Sequence, residues 1–129
     1  VDGIALRTLA LRIGASLPSA EPCFPFGPQT EVCKVVGKVF LLGGELRGEP
    51  LVTVKCEPES GLALREEFPT IVPGYHVNKK HWISISGGDD ITEDLVDELV
   101  RTSYTLVVET LPRAKRPGLS AQAVKGIER

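Results

Sequence analysis

The chain has 129 residues, 42% of them hydrophobic, with three cysteines and a formal charge of −2, which suits one soluble domain whose core needs neither disulfides nor a structural metal. No run approaches the roughly 20 apolar residues of a membrane span, and the first residues lack the basic and apolar blocks of a secretory signal, so a cytoplasmic location is expected. The charge is uneven: residues 113–129 hold five basic groups and one acid (+4), leaving ten basic and sixteen acidic groups on residues 1–112 (−6). A body this acidic is a poor general binder of polyanions, because nonspecific DNA affinity comes from neutralising phosphates.

From Ile4 to Ser16, Leu6, Leu9, Ala10 and Ile13 fall at i, i+3, i+4 and i+7, the stripe of a helix that Leu17-Pro18 ends. Pro18, Pro22, Pro25 and Pro28 then predict an irregular segment, with Phe24 and Phe26 expected to pin it to the core. Three short apolar runs, Val32 to Val36, Val39 to Leu42 and Leu51 to Cys56, read as antiparallel strands. Gly37-Lys38 predicts a tight connection between the first two, and Gly43-Gly44 to Pro50 a longer one before the third. Pro58 opens a short helix lined by Leu62, Ala63 and Phe68 that stops before Pro69. Asp90 and Glu93 pattern as a cap pair for the longest helix, with Leu95, Val96, Leu99, Val100, Ser103 and Val107 on its buried stripe, ending near Thr110 to Pro112. Basic residues beyond Arg113 predict a flexible tail over residues 113–129, following a single domain over residues 1–112.

The densest run of unusual choices is Pro69 to Ile85, PTIVPGYHVNKKHWISI, which holds both histidines, the single tryptophan and two adjacent lysines. Pro73-Gly74 predicts a turn, Gly74 being free to take positive φ. From His81 the residues alternate, with Ile83 and Ile85 on one side of a strand and Trp82 and Ser84 on the other. The resulting order, α-β-β-β-α-β-β-α, predicts an α+β two-layer sandwich: an antiparallel sheet of about five strands with helices on one face.

PGYHVNKKHW, followed by SYTLVVETLP and Arg116, and preceded by FPFG at Phe24 to Gly27, VVGKVF at Val35 to Phe40 and VKCEP at Val54 to Pro58, resembles the signature of the MmcQ/YjbR family of small bacterial proteins. The likeness runs from about Leu6 to Arg116. It implies the same α+β architecture, similar to CyaY and to secretion chaperones, and a loose label of DNA binding with no settled reaction.

A sheet covered on one side leaves the other open. Alternation assigns Trp82 and Lys55 to the open face, with Lys34 and Lys38 as candidates for the same face. Tyr75, His76, Asn78, Lys79 and Lys80 stand at its edge. An aromatic ring beside lysines can stack a planar ring and neutralise an anion; the plainer alternative packs Trp82 under the Phe24/Phe26 loop. His76 and His81, five apart with no adjoining Cys or carboxylate, do not form a metal set, and nothing marks a nucleophile or an oxyanion site. Ser103-Tyr104 reads as structural, the serine bonding its own i−4 carbonyl or permitting close packing. Cys23, Cys33 and Cys56 lack a CxxC spacing and read as reduced thiols. No cofactor motif is present. The expectation is a monomeric, non-enzymatic binding protein acting through the Trp82 face and signature loop. DNA is the ligand the family label suggests, and two classes compete with it: a small molecule in a pocket lined by Trp82, Tyr75 and Phe40, and another protein.

Overall fold

The computed structural model describes residues 1–75 and 77–117. Along the chain run α1 (Gly3–Ser16), β1 (Ala20–Cys23), β2 (Glu31–Val35), β3 (Lys38–Leu46), β4 (Glu49–Lys55), α2 (Pro58–Glu67), β5 (Ile71–Pro73), β6 (Trp82–Ile85) and α3 (Glu93–Glu109), then a short 3-10 turn at Arg113–Lys115. The strands make one antiparallel sheet in the order β1-β2-β3-β4-β6-β5. Helices α1 and α3 pack against each other and cover β2 to β4, while α2 lies on the same side against β5 and β6. The expected α+β sandwich is therefore present, with six strands rather than five.

The extra strand comes from the proline-rich segment. Ala20 to Cys23 pairs with Val35 to Val32, and Pro22, which lacks an N–H, is tolerated because β1 is an edge. Phe24 and Phe26 do not pin the segment to the core; they are 53% and 69% exposed. The second hairpin is also tighter than the glycines suggested. Its turn is Arg47-Gly48 (φ 54° and 82°), matching Val36-Gly37 (φ 49° and 79°) in the first, so both hairpins close through two residues at positive φ. Gly43 and Gly44 lie inside β3. Gly43 lets α1 approach, since a Cβ there would sit 3.0 Å from Leu11 Cδ1.

Two helix details differ from expectation. Thr92, not Asp90, caps α3: its hydroxyl accepts from the Leu95 N–H at 3.1 Å. Asp90 lies in the turn before the cap, too far back to reach an unpaired helical N–H. On α2 the buried position is Gly61, pressed against Cys56 and Ile83, while Leu62 and Ala63 face solvent and Leu64 and Phe68 are half-buried. Beyond α3, Arg116 folds back onto the body and donates from Nε to the Leu111 carbonyl and from Nη2 to that of Glu109, both at 3.0 Å. Residues 118–129, including Lys125 and Arg129, lie outside the described residues.

The centre of the fold is a bulge in β3. Cys33 pairs with Leu41 but Lys34 pairs with Val39, so Phe40 is an extra residue on β3. Consecutive residues Phe40 and Leu41 are consequently both buried against the helices, although a regular strand would place them on opposite faces. Leu41 fits only because Gly14 of α1 lacks a side chain; a Cβ there would lie 2.6 Å from Leu41 Cδ2. Phe40 meets the Tyr104 ring edge-on, centroids 5.2 Å apart, and the Tyr104 hydroxyl donates to the Pro18 carbonyl at 2.7 Å. Ser103 does not bond its i−4 carbonyl. Its hydroxyl donates to the Phe40 carbonyl at 2.6 Å and accepts from the Lys55 N–H at 2.8 Å, bridging β3 and β4 where their ladder stops at Leu41–Val54.

Three predictions follow from this packing. Ser103→Ala leaves a buried carbonyl and an N–H without partners, and should cost about 1–3 kcal/mol, read as a Tm lower by about 5 °C or more; a change within error would remove the bridge from the account of stability. Val36 is β-branched at positive φ and exposed, so Val36→Asn should stabilise by about 1 kcal/mol in chemical denaturation, and destabilisation would count against the strain argument. Burial beneath α1 raises the Cys33 thiol from near 9 to about 11, with the Glu31 carboxylate adding to the effect. Since the unfolded thiol ionises first, its contribution is intact below pH 9 and is lost between pH 9 and 11. Denaturation midpoints should fall across that window less steeply in Cys33→Ala than in the parent; equal slopes would sink the assignment.

Candidate functional site

The face of the sheet away from the helices carries Cys23, Val32, Leu42, Thr53, Ser84 and Val72 in one continuous cross-strand row. Gly44 and Leu51 form the next row on one side, and Lys55 and Trp82 the next on the other. This face is open, but loops overhang it. Val32 and Ser84 are fully buried, and Leu51 and Thr53 nearly so.

The first overhang is the segment between β1 and β2, which brings Phe26 and Thr30 over the end of the sheet bearing Gly44. The second is the signature loop between β5 and β6. It folds back because Ser84, in the middle of β6, accepts the Tyr75 N–H at 2.9 Å while pairing with the Thr53 hydroxyl at 2.8 Å. Gly74 is central to this fold-back. Its N–H donates to the Trp82 carbonyl at 2.9 Å, and a Cβ on it would lie 2.5 Å from Val77 Cγ2 and 2.8 Å from the Trp82 Cβ. Close approach is what requires glycine here; its φ is not in the positive region expected of a Pro-Gly turn.

Between the two overhangs runs a groove of about 370 Å3. Leu42, Leu51, Gly44 and Thr53 form its floor, Phe26 and Thr30 one wall, and Tyr75 and Val77 the other. The lining is mostly apolar. Glu45 borders it, but the pleat places its side chain on the opposite face from Gly44 and Leu46. The volume is at the lower end of the roughly 300–1,000 Å3 of small-molecule sites.

The expected site residues separate into three groups. Tyr75 reaches the groove, partly exposed. Trp82 and Lys55 are half-buried cross-strand partners on the open face, as alternation predicted, one row from the groove floor. Asn78, Lys79 and Lys80 form an exposed turn in which Asn78 Oδ1 accepts the Lys80 N–H at 2.9 Å, while Lys79 Nζ donates to the Gly74 carbonyl at 3.1 Å. Lys34 is on the open face opposite Glu21, but Lys38 is not: a two-residue turn pairs it with Val35, which faces the helices. Phe40 is also on the helix side, taken there by the bulge, so neither it nor Trp82 lines the groove as expected. His76 lies outside the described residues. His81 is half-buried; its N–H donates to the Asn78 carbonyl and its carbonyl accepts from the Cys56 N–H.

Sequence reasoning missed the floor and the far wall. Leu42, Leu51 and Thr53 read simply as strand residues, and Phe26 read as a core anchor. The available signal was FPFG itself: two large apolar side chains beside glycine in a segment with few others to pack against.

The groups whose proton affinity shifts lie elsewhere. Burial raises the Cys33 and Cys56 thiols and the Tyr104 phenol, all packed against the helical layer. Among the described residues no three His, Cys, Asp or Glu side chains gather as a metal-ligand set, and no helix is long and apolar enough to cross a membrane. The sheet edges, β1 and β5, are only four and three residues long, and each carries a proline that removes a donor.

Comparison with known proteins gives a consistent picture. The chain is 43% identical over 122 residues to the uncharacterized protein YbdF of Escherichia coli O157:H7, covering 92% of this chain and 100% of that one. It is 31% identical over 99 residues to the uncharacterized protein YjbR of Escherichia coli K12, covering 77% and 84%. Among solved structures, protein DR2400 of Deinococcus radiodurans superposes with a TM-score of 0.74 at 34% identity, over 84% of this chain and 83% of that one. A Pseudomonas syringae protein shares the fold at a TM-score of 0.68 and 22% identity, over 78% of this chain and 97% of its own. The YjbR family model matches residues 15–106, a span that includes the signature loop, the bulge and the Ser103 bridge, and the chain belongs to the YjbR family.

Proposed function

We propose that this protein binds a small, largely apolar molecule in the groove on the open face of its sheet, without catalysing a reaction. The observation that carries this reading is the concavity itself: a groove of about 370 Å3 with a mostly apolar lining and aromatic side chains from two separate loops on its walls. Flat aromatic walls suit a planar ligand. The signature loop is held by Ser84 and Gly74, so the Tyr75 and Val77 wall is fixed by the protein's own hydrogen bonds.

A nucleic-acid role is the second reading. In its favour, Lys79 and Lys80 project from an ordered turn beside Trp82. Against its being the primary one, residues 1–112 carry a net −6 and the lysines at 34 and 38 point to opposite faces, so the cations do not line up as a phosphate track.

One experiment separates the two. Planar apolar compounds, single-stranded DNA and duplex DNA are titrated in turn against the emission of Trp82, at low and near-physiological salt, on the parent and on Gly44→Leu. A Cβ at Gly44 would meet only ordinary contact with Thr30, at 3.5 Å or more, and the side chain beyond it extends into the groove. The expected outcome is saturable, weakly salt-dependent binding of a planar compound that weakens at least about tenfold in Gly44→Leu with Tm unchanged. Binding untouched by Gly44→Leu would reject the groove. DNA binding that falls steeply with salt would instead support the second reading.

A further inference from the structure

Resting on the groove reading, we infer that the ligand is an amphipathic anion, a flat apolar body carrying a carboxylate, with the carboxylate held between the ammonium groups of Lys55 and Lys79 beside Trp82.

Along β4, Thr53 and Lys55 share the open face, two residues apart and so about 6.7 Å along the strand. A ligand lying over Leu42 and Thr53 therefore has its far end beside Lys55. Trp82 is the cross-strand partner of Lys55, which puts their Cβ atoms about 5 Å apart. From Trp82 a short chain of contacts reaches the second cation: its carbonyl accepts the Gly74 N–H at 2.9 Å, and the Gly74 carbonyl accepts from Lys79 Nζ at 3.1 Å. Lys55 on β4 and the Gly74 carbonyl that holds Lys79 Nζ thus flank Trp82 from its two neighbouring strands.

Neither ammonium is neutralised. Among the described residues the one ion pair is Arg101–Asp97, on α3 at the opposite layer, and no carboxylate lies at ion-pair distance from Lys55 or Lys79. Lys55 is half-buried beside its cross-strand partner Trp82, and its backbone is tied down by the Ser103 bridge. A partly desolvated cation whose backbone is anchored, in a body that is otherwise acidic, marks a place where one negative charge is favourable. The same acidic body opposes ligands of high charge, which selects a carboxylate over a polyanion. On the groove walls and floor the side chains are uncharged, so the apolar body and the charged end are recognised by different residues.

The test is calorimetric titration of the full chain with a matched set: naphthalene-2-carboxylate, its neutral carboxamide, and a naphthylmethyl trimethylammonium salt. The carboxylate is expected to bind about tenfold more tightly than the carboxamide, with that advantage shrinking as salt rises, and the cation to bind most weakly. Lys55→Gln and Lys79→Gln should each remove most of the carboxylate's advantage and leave the carboxamide unchanged, while Lys55→Arg retains it. If carboxylate and carboxamide bind equally, or the advantage survives both glutamine variants, the anion site is overturned and the groove stands. If none of the three compounds binds, the groove reading fails and this inference fails with it.

Discussion

The structure depends on one polar bridge in an apolar centre. The bulge at Phe40 takes β3 out of register with β2 at the point where its ladder with β4 also stops, and it would leave a carbonyl and an N–H stranded in the interior. Ser103 supplies a hydroxyl that serves both, so α3 is joined to the sheet by hydrogen bonds as well as by packing. An unsatisfied buried pair would cost more than the bulge could return. Three neighbouring features depend on the same junction: the edge-on contact of Phe40 with Tyr104, the seating of Leu41 against Gly14, and the position of the Lys55 backbone.

That junction also links core and site. The bulge turns Phe40 to the helical side and leaves the smaller Val39 on the open face opposite Lys34. The Ser103 bridge holds the end of β4 where Lys55 stands next to Trp82. The signature loop is held over the open face by hydroxyls together with the close packing of Gly74. Ser84 and Thr53 pair with each other in the sheet, and Ser84 takes the backbone of the signature loop, bringing Tyr75 and Val77 over the face. A serine and a threonine at these two strand positions are what turn an otherwise open sheet into one wall of a groove.

Much of the architecture was legible because it is local. Periodicity located α1 and α3 within a residue or two, the two-residue length of the first turn was readable from Gly37 although the turn falls at Val36-Gly37 and not at Gly37-Lys38, and alternation placed Trp82, Ser84 and Lys55 on the same face. The resemblance carried by the signature loop agreed with the family and with the architecture. The errors share a cause: each involved a residue whose role depends on a distant segment. Ala20 to Cys23 became a strand because β2 offers it an unpaired edge, which no local proline count reveals. Gly43 read as a breaker and is instead the clearance for Leu11. Lys38 changed faces because the turn fixes a pairing, not a direction.

The amino-acid order by itself determined the long helices and the faces of β4 and β6, since these follow from spacing and side-chain alternation within a few residues. Tertiary structure alone decided the rest. The register slip at Phe40 exists because two strands and a helix compete for the same backbone groups. The groove exists because loops separated by some fifty positions in the chain are drawn over one sheet face. The pairing of Lys55 with Trp82, and the reach of Lys79 to Gly74, depend on which strand neighbours which. Those are long-range choices, set by burial and hydrogen-bond satisfaction over the whole domain, and no window of sequence contains them.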